Sequence, residues 1–402
     1  MDGRFTRLAE LSVHGANVQP GQVMLLSAEL GQEELARAIA AAAYDRGAKY
    51  VDVNYFDPYA KRARIEHADP DTLDFVPSWY GDRAIAHAEG RGARVTLAGL
   101  TAPNLLDDLD NALVGRDRLP YLKEIPKIVG ERSTNWCIVP CPHPAWAKLV
   151  HPELSEADAY EKLWAELEHV LRLDEPDPSE AWESRMAVLS DSARRLSEHH
   201  FDAIELRGPG TELTVGLFRT HRWWAADFQT VDGLRHFPNL PTEEVFTTPD
   251  FRRTEGTIRA TRPFIASGVV IQDAALRFEN GRVVEATASS GQESLVEQLS
   301  FDDGASALGE LALVAGSLIG SRNFLFHHIL FDENAASHIA YGMGYTSAVE
   351  GADRLANKEL GPAGINDSAV HQDFNVGGEG IDIDAVLHDG ALVPIISGDT
   401  WL

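Results

Sequence analysis

The chain has 402 residues, of which 44% are hydrophobic and 24% are charged, and its formal net charge at pH 7 is −27. This acidic excess argues against nucleic acid as a partner, because binding to nucleic acid depends on Lys and Arg that neutralise phosphates. No apolar run approaches the roughly 18 residues of a membrane-spanning helix, so we expect no membrane partner. A chain of this length exceeds what one hydrophobic core usually supports, which predicts two domains.

The N-terminus and the cysteines indicate the compartment. The opening segment MDGRFTRLAELSVHGANVQPGQ has neither the apolar stretch nor the small-residue cleavage site of a secretory signal. Cys137 and Cys141 are too few for a disulfide framework. We interpret them as small apolar residues at a strand end, although His143 nearby leaves a zinc site open. We therefore expect a cytoplasmic protein.

The first 150 residues alternate between predicted strands and a predicted helix. The strands are VMLLSA, KYVDVNYFD, a run that ends near Leu100, and the segment around NWCIVP. Residues 33–47 carry apolar side chains at helical spacing and end at Gly47, which predicts a helix. This alternation predicts a parallel sheet with helices on its faces. No G-x-G-x-x-G motif follows the first strand, so the fingerprint of dinucleotide binding is missing.

Two helices are predicted next. Residues 155–172 form an amphipathic pattern that Ser155 can cap, with Asp158 at the capping-box offset. The segment DEPDPSE that follows breaks the helix, and AWESRMAVLSDSARRLSEH predicts another.

Beyond these helices, alternating runs are joined by Gly, Asn-Gly and Asp-Gly turns, which are hairpin signals. The predicted fold class is α/β, with an N-terminal parallel-sheet α/β domain and then a larger, mostly antiparallel β (α+β) domain. We place the boundary at DEPDPSE, which gives domains of residues 1–178 and 179–402.

Candidate chemical groups gather between residues 310 and 373. They are Glu310 in LGELALV, His338 in FDENAASHIAYGMGY, Tyr345, and the pair His371 and Asp373 in VHQDF. A buried carboxylate without a partner is costly or takes up a proton. One divalent metal ion, or a pair of them, would partner all of these groups together.

Each of these signals also has an ordinary explanation. His371 and Asp373 would point to one side of a strand, yet an H-x-D pair is often a surface pair. Glu310 equally fits a helix residue at a solvated edge. His338 and Tyr345 are seven residues apart, two turns on one helical face, which also fits a core stripe with a hydrogen-bonded histidine.

Two further pairs are adjacent in sequence. Glu243 and Glu244 in PTEEVF fit an ordinary pair of loop acids, or a metal ligand next to a proton carrier. His327 and His328 must point in different directions, so we interpret them as packing residues or as support for a ligand.

Four segments in this order carry a family resemblance: PTEEVFTTPD, LGELALV, LFDENAASHIAYGMGY and the later H-x-D. Together with VQPGQ, VNYFDP and the text around TNWCIVPCPHPAWA, they resemble the aminopeptidase T and aminopeptidase S family of two-metal exopeptidases. The resemblance covers essentially the whole chain. Two places depart from the pattern of that family. MGYTSAVEG replaces the usual text around the tyrosine, and Gln372 stands where an apolar or aromatic residue is expected. These departures leave the substrate preference open.

The resemblance implies a site and a reaction. The residues that it assigns to a pair of divalent metal ions are Glu244, Glu310, His338, Tyr345, His371 and Asp373. It gives Glu243 a catalytic, proton-carrying role or one of support behind the ligands. The ligand set suits zinc, cobalt, manganese or magnesium. A water activated by two metal ions would attack a peptide carbonyl next to a free α-amino group.

The implied function is that of a metal-dependent aminopeptidase, a hydrolase that releases N-terminal amino acids from peptide substrates and assembles as a homodimer. Two alternatives stay open: a metallohydrolase of another amide or ester, and a non-catalytic binding protein that keeps the fold. The presence of all six candidate ligands argues against the second alternative.

Overall fold

A computed structural model of the chain describes residues 3–322 and 324–402. Its helices are α1 (Gly3–Gly15), α2 (Glu33–Asp45), α3 (Pro58–His67), α4 (Ser78–Glu89), α5 (Asn111–Arg116), α6 (Ile125–Gly130), α7 (Pro144–Val150), α8 (Glu156–Val170), α9 (Pro178–His199), α10 (Gln292–Leu299), α11 (Ile329–Asp332) and α12 (Asn357–Ala363). Single turns of 3₁₀ helix lie at Pro70–Thr72, Phe251–Arg253, Glu333–Ala335, Thr346–Ala348 and Ala352–Arg354.

The strands are β1 (Val23–Glu29), β2 (Tyr50–Phe56), β3 (Ala93–Ala98), β4 (Asn135–Pro140), β5 (Ala203–Gly208), β6 (Thr211–Gly216), β7 (Trp224–Ala225), β8 (Phe228–Gln229), β9 (Arg235–His236), β10 (Glu244–Thr247), β11 (Thr254–Arg259), β12 (Phe264–Ala266), β13 (Val269–Ile271), β14 (Ala275–Glu279), β15 (Arg282–Thr287), β16 (Leu308–Val314), β17 (His338–Gly342), β18 (His371–Asn375), β19 (Asp382–Val386), β20 (Leu392–Ser397) and β21 (Thr400–Trp401). The chain divides into two compact units, Met1–Glu183 with Asp227–Pro241, and Ser184–Ala226 with Thr242–Leu402.

The first unit contains a parallel sheet with strand order β2-β1-β3-β4. Strand β1 buries every second side chain, namely Met24, Leu26 and Ala28, as expected for a strand that is covered by helices. Helix α2 packs on β1 through its apolar stripe, which includes Leu35 and Ile39. The predicted parallel-sheet α/β fold of this part is confirmed.

Helix α8 begins as the sequence predicts. The Ser155 hydroxyl accepts a hydrogen bond from the backbone N–H of Asp158 and donates one to its carboxylate. Helix α1 is an element that we did not predict, although Phe5, Leu8 and Leu11 follow a helical period and are buried. Phe5 packs edge-on against Trp164 of α8, with ring centroids 5.0 Å apart.

Cys137 and Cys141 are buried, unpaired residues of β4 and its end. Burial raises the pKa of both thiols, so neither is a ready metal ligand or nucleophile. Within residues 3–322 and 324–402, the residue groups close enough to share a metal ion do not include these cysteines or His143. The His143 ring instead accepts a hydrogen bond from Ala145 N at the start of α7.

The second unit is dominated by two antiparallel sheets, which confirms the predicted fold of this part. The larger sheet has the order β15-β14-β11-β6-β5-β19-β20-β21, and the smaller one has the order β18-β17-β16-β10-β7. Strand β16 is buried along its whole length. No helix in the described part of the chain combines the length and apolarity needed to cross a bilayer.

The smaller sheet packs its backbones closely at Gly342, near the end of β17. Gly342 has φ +100°, and a Cβ there would lie 2.1 Å from the carbonyl oxygen of Val370. Only glycine fits both requirements. This close approach lets the start of β18 lie directly beside the end of β17.

Candidate metal centre

The candidate ligands gather on one face of the five-stranded sheet. Side chains alternate between the two faces along a strand, so Glu310 and Ala312 of β16 share a face. The register pairs Ala340 of β17 with both Glu310 and Asp373, and it pairs His338 with Ala312. Strands β16, β17 and β18 therefore present Glu310, His338 and Asp373 on the same face.

One imidazole and one carboxylate reach towards each other across β17. His371 of β18 and Glu310 of β16 approach to 3.1 Å between Nε2 and Oε2. The residues of β17 that face them in the register are Gly342, opposite His371, and Ala340, opposite Glu310. These two small residues leave the space in which the two longer side chains meet.

The same arrangement repeats one strand further along the sheet. His338 of β17 reaches Glu244 of β10 across β16, with 3.2 Å between Nε2 and Oε2. Ala312, which pairs with His338, lies on the intervening strand. The sheet thus carries two acid–imidazole pairs side by side.

Two groups of ligand atoms are compact enough to hold a metal ion, with all atoms of a group within 4.8 Å of one another. The first group is Glu244, Glu310 and His338, and the second is Glu310, His371 and Asp373. Glu310 belongs to both, as a carboxylate that bridges two ions would. Asp373 Oδ1 also lies 3.8 Å from Nε2 of each histidine.

Backbone carbonyl groups fix both imidazoles with Nε2 towards the cluster. His338 Nδ1 lies 3.1 Å from the carbonyl oxygen of Ala336, and His371 Nδ1 lies 2.8 Å from that of Met343. A carbonyl only accepts hydrogen bonds, so each Nδ1 carries a proton and Nε2 is the atom left to face the carboxylates; with a cation bound, each ring would be neutral and offer its Nε2 lone pair. A second-shell hydrogen bond of this kind is usual for histidines that bind metal ions.

Two oxygen atoms at the centre lack a hydrogen-bond donor within the part of the chain that the structure describes. Glu244 Oε2 and Asp373 Oδ2 are buried and accept no hydrogen bond from the described residues. In the neutral tautomer, the lone pair of His338 Nε2 faces Glu244 Oε2 at 3.2 Å, which is repulsive unless a proton or a cation lies between them. The donor set of carboxylates and imidazoles is one that divalent cations accept.

The pKa values report the same excess of negative charge. Burial by itself would lower the pKa of His338, but the contact with Glu244 raises it to about 10. Burial opposes protonation of His371 as well, and Glu310 and Asp373 raise its pKa to about 9. Burial raises the pKa of Glu310. In the absence of a metal ion, the cluster therefore holds extra protons where cations would otherwise neutralise it.

Tyr345 joins the cluster from a loop. Its hydroxyl lies 3.2 Å from His371 Nε2, and its backbone N–H donates to Thr248 Oγ1. Our expectation that His338 and Tyr345 share a helical face is wrong, because His338 begins strand β17 and Tyr345 lies beyond its end. Their seven-residue spacing fits a strand and a turn as well as it fits two helical turns.

Glu243 lies outside the cluster, although it precedes Glu244 directly. Its side chain is 0% exposed, and its carboxylate accepts a 2.6 Å hydrogen bond from Arg185 Nε of α9. The backbone N–H of Glu243 donates to Asn334 Oδ1. Neighbouring residues in an extended segment point in opposite directions, which separates Glu243 from the ligand face.

Glu333 is a candidate that the sequence analysis missed. It begins the 3₁₀ turn Glu333–Ala335, which packs against β18, and its carboxylate lies 3.3 Å from Asn334 Nδ2. Burial, together with the charges of Asp373 and Glu244, raises the pKa of Glu333 well above its usual range. The signal was present in FDENAAS, where an acid stands five residues before His338.

The remaining sequence candidates behave differently. His371 and Asp373 lie on one strand, β18, as predicted. Glu310 lies on buried strand β16, so its alternative placement at a solvated helix edge is wrong.

The adjacent histidines His327 and His328 lie outside the candidate metal centre. His328 donates its backbone N–H to Asp332 Oδ2, and burial lowers the pKa of its ring to about 4. His327 and His328 are in neither group of potential metal ligands.

Comparisons with known proteins give the chain its relatives. The sequence profile of the thermophilic metalloprotease (M29) family matches residues 1–401. The chain is 40% identical to aminopeptidase T of Thermus aquaticus, over 99% of this chain and 98% of that protein. It is 33% identical to aminopeptidase AmpS of Bacillus subtilis, over 99% and 98% of the two chains. The solved structure of wild-type AmpT from Thermus thermophilus matches with a TM-score of 0.91 and 36% identity, over 100% of this chain and 99% of that one.

Sequence and structure agree in these comparisons over nearly the whole length of the chain. The predicted family and enzyme class are both confirmed by them. The chain belongs to the thermophilic metalloprotease (M29) family, and it is a metallo-aminopeptidase.

Proposed function

We propose that this enzyme releases N-terminal amino acids from peptides with the help of two divalent metal ions held on the five-stranded sheet. The observation that carries the proposal is the pair of ligand groups that share Glu310. The proposed ligands are Glu244, Glu310, His338, Tyr345, His371 and Asp373. Their oxygen and imidazole donors suit zinc, cobalt, manganese or magnesium.

The residues fit such ions on chemical grounds. The two imidazoles would be neutral with cations bound and present Nε2 as the ligand atom, and Glu244 Oε2 and Asp373 Oδ2 are buried without a hydrogen-bond donor among the described residues. When bound, a pair of divalent ions supplies a water of lowered pKa and polarises the scissile carbonyl group. Tyr345, with its hydroxyl beside His371, would complete one side of the centre.

A proton carrier is needed to move a proton from the attacking water to the departing amine. Glu243 is the residue for which the sequence implied this role or one of support, and its buried ion pair with Arg185 favours support. Glu333 is favoured instead, because its turn packs against β18, and burial together with the charges of Asp373, Glu244 and Glu310 raises its pKa, which suits a group that takes up a proton. We therefore propose Glu333 as the proton carrier and Glu243 as the residue that fixes the strand bearing Glu244.

The wider setting is also a proposal. Residues 179–402 would form the catalytic, metal-binding domain and residues 1–178 an α/β domain that accompanies it. A cytoplasmic homodimer would restrict the site to flexible peptide ends, and sedimentation at micromolar concentration tests the dimer. Peptide substrates then need a free α-amino group near the metal ions.

Two substitutions test the proposal. Glu310→Gln and His371→Ala each remove one ligand, and Glu310→Gln also removes a charge that would neutralise the cations. Because even residues that support a ligand are worth about tenfold to hundredfold in metal affinity, we expect each variant to lose metal by at least that factor and to lose peptidase activity. Bound metal and hydrolysis of aminoacyl-nitroanilides are measured on folded protein.

Glu205→Gln is a matched control, since Glu205 lies on strand β5 of the larger sheet in an ion pair with Arg207. It should keep both metal and activity. Normal metal content and turnover in Glu310→Gln would contradict the proposed site. Wild-type protein that binds no metal and hydrolyses no aminoacyl substrate would instead favour a binding protein with this fold.

A further inference from the structure

Asn375 is a buried amide on the ligand-bearing face of the sheet. It is the last residue of β18, two positions after Asp373, so the two side chains share a face. The register pairs Asn375 with His338. Its side chain thus lies in the same row as one of the proposed ligands, and the residue is only 3% exposed.

One hydrogen bond fixes the orientation of this amide. Asn375 Nδ2 donates to the carbonyl oxygen of Asp332 at 2.7 Å. Rotating the amide by half a turn would set its oxygen against that carbonyl oxygen, and two acceptors repel each other. The chemistry of the contact therefore places Oδ1 on the side away from Asp332.

Asn375 Oδ1 has no partner of its own. The atom is buried and accepts no hydrogen bond from any residue that the structure describes. Buried polar atoms of folded proteins are nearly all paired, because an unpaired acceptor keeps the cost of its lost hydration. An acceptor of this kind beside a binding site calls for an N–H or O–H group from a ligand.

The surroundings select the kind of donor. Candidate neighbours of Asn375 are His338, its partner in the register, Asp373 on the same strand, and the turn that begins with Glu333 and packs against that strand. With two divalent ions bound, the charge of the ions offsets the carboxylates, so position rather than charge selects the donor. Among the groups of a peptide substrate, the α-amino group at the N-terminus is the N–H donor next to the scissile carbonyl group that the metal ions would hold.

We propose that Asn375 Oδ1 accepts a hydrogen bond from the α-amino group of the substrate and so helps to confine cleavage to the N-terminal residue. This inference rests on the proposed two-metal site, which would hold the scissile carbonyl group of the same residue. Asn375 would act in substrate recognition through Oδ1. The hydrogen bond from its Nδ2 to the carbonyl oxygen of Asp332 only holds the side chain in place.

The test compares two inhibitors that differ only in the amine. Leucine hydroxamate and its des-amino analogue, 4-methylpentanoyl hydroxamate, share the metal-binding group and the side chain. Wild-type enzyme saturated with metal should bind the amine-bearing compound more tightly. In Asn375→Ala this preference should fall by about tenfold to hundredfold, the range for a hydrogen bond to a charged group.

A second variant separates recognition from folding. Asn375→Asp keeps an acceptor but loses the donor to Asp332, so it should retain or increase the preference for the amine. Asn366→Ala is the matched control, because Asn366 is an equally buried amide whose Nδ2 donates to the carbonyl groups of Gly304, Ala307 and Gly342. It should leave the ratio of the two affinities unchanged.

Two outcomes would overturn the inference. Asn375→Ala could keep the wild-type ratio, either with both affinities unchanged or with both weakened equally, as for a metal-ligating or structural residue. Asn375→Asp could also lose the preference to the same extent as Asn375→Ala. Failure of the proposed function would appear separately, as binding of the des-amino hydroxamate to wild-type enzyme that does not depend on added metal.

Discussion

Glu243 and Glu244 show how two identical neighbours acquire different tasks. The carboxylate of Glu244 faces His338, whereas that of Glu243 is paired with Arg185 and fully buried. Removing one partner of a buried ion pair usually costs about 3–5 kcal/mol, because the other charge stays buried without compensation. The Arg185–Glu243 ion pair therefore anchors the start of strand β10, which bears Glu244.

This division of labour predicts different kinetics for two variants. Glu333→Gln should lower kcat by about a hundredfold to ten-thousandfold while metal content stays normal, as expected for loss of a proton carrier. Glu243→Gln should have a smaller effect on kcat and a larger one on stability, because it leaves the Arg185 guanidinium without its partner. Measuring kcat, bound metal and urea denaturation on both variants checks this. If Glu243→Gln lowered kcat more than Glu333→Gln, the catalytic role would belong to Glu243 instead.

His236, a residue of the first unit, provides a pH-dependent prediction that does not involve the candidate metal ligands. It is 3% exposed and packs against Trp136 and Phe228, and burial lowers its pKa from 6.5 to about 4. The folded pKa lies below the unfolded one, so the unfolded state takes up the proton first. The contribution of His236 to stability is complete above pH 6.5 and is lost as the pH falls towards 4, by about 3 kcal/mol over that window.

His236→Phe should remove this part of the acid sensitivity while keeping the aromatic packing. The difference in unfolding free energy between wild type and variant, followed by urea titration from pH 7.5 to 4, should shift in favour of the variant as the pH falls. His67→Phe is the control, because the His67 side chain is 78% exposed. A pH-independent difference between wild type and His236→Phe would refute this explanation.

At the scale of secondary-structure elements, the central strands of the smaller sheet determine where ions can fit. Ala312, Ala340 and Gly342 lie on the ligand face of β16 and β17, between side chains that reach across them. Protein interiors are close-packed, so the side chains of neighbouring residues fill the space above a small residue. Here the neighbours are the carboxylates and imidazoles of the candidate metal centre.

Enlarging one of these residues should close that space. In Ala340→Leu the added isopropyl group would project between Glu310 and Asp373, with which Ala340 pairs. We expect metal binding and activity to be lost, together with about 1–3 kcal/mol of stability from overpacking. Metal analysis and denaturation of the purified variant measure both effects.

Ala385→Leu supplies the comparison, since Ala385 is an equally buried alanine on β19 of the larger sheet. It should lose similar stability and keep its metal. An Ala340→Leu enzyme with full metal content would contradict our view of the sheet face.

Local sequence signals predicted the elements of the fold well. Alternating strands and helices of the first 150 residues, the capped helix after Ser155 and the hairpin turns of the second half all appear in the structure. Helix α1 was missed because we considered its residues only as a targeting signal. The order of strands across the eight-stranded sheet lay beyond prediction, since it depends on pairings between distant segments such as β5 and β19.

The site was harder to predict than the fold. The spacing of His371 and Asp373 was sufficient to place both on one strand face, because the strand period is two. The pairing of Glu310 with His371 across β17 depends on the sheet register, which no local pattern contains. The only signal of Glu333 was its place five residues before His338, and Asn375 gave none, because acids and amides are common in turns and at strand ends.

At the scale of the whole molecule, the net charge of −27 favours the approach of cations, which include metal ions and the N-termini of peptides. Several carboxylates face one another at the candidate centre, and a protein that binds ions only when folded is stabilised by them. Chelation should therefore lower the melting temperature, and adding back zinc or cobalt should restore it.

The most direct test of the two-metal centre is a titration of chelator-stripped enzyme with cobalt or zinc, in which bound ions per chain and hydrolysis of a leucyl peptide are followed together. We predict that activity is absent without metal, reaches its plateau only when two ions are bound per chain, and is not restored in Glu310→Gln. Full activity in the metal-free enzyme, or a plateau with a single ion bound, would contradict the two-metal centre.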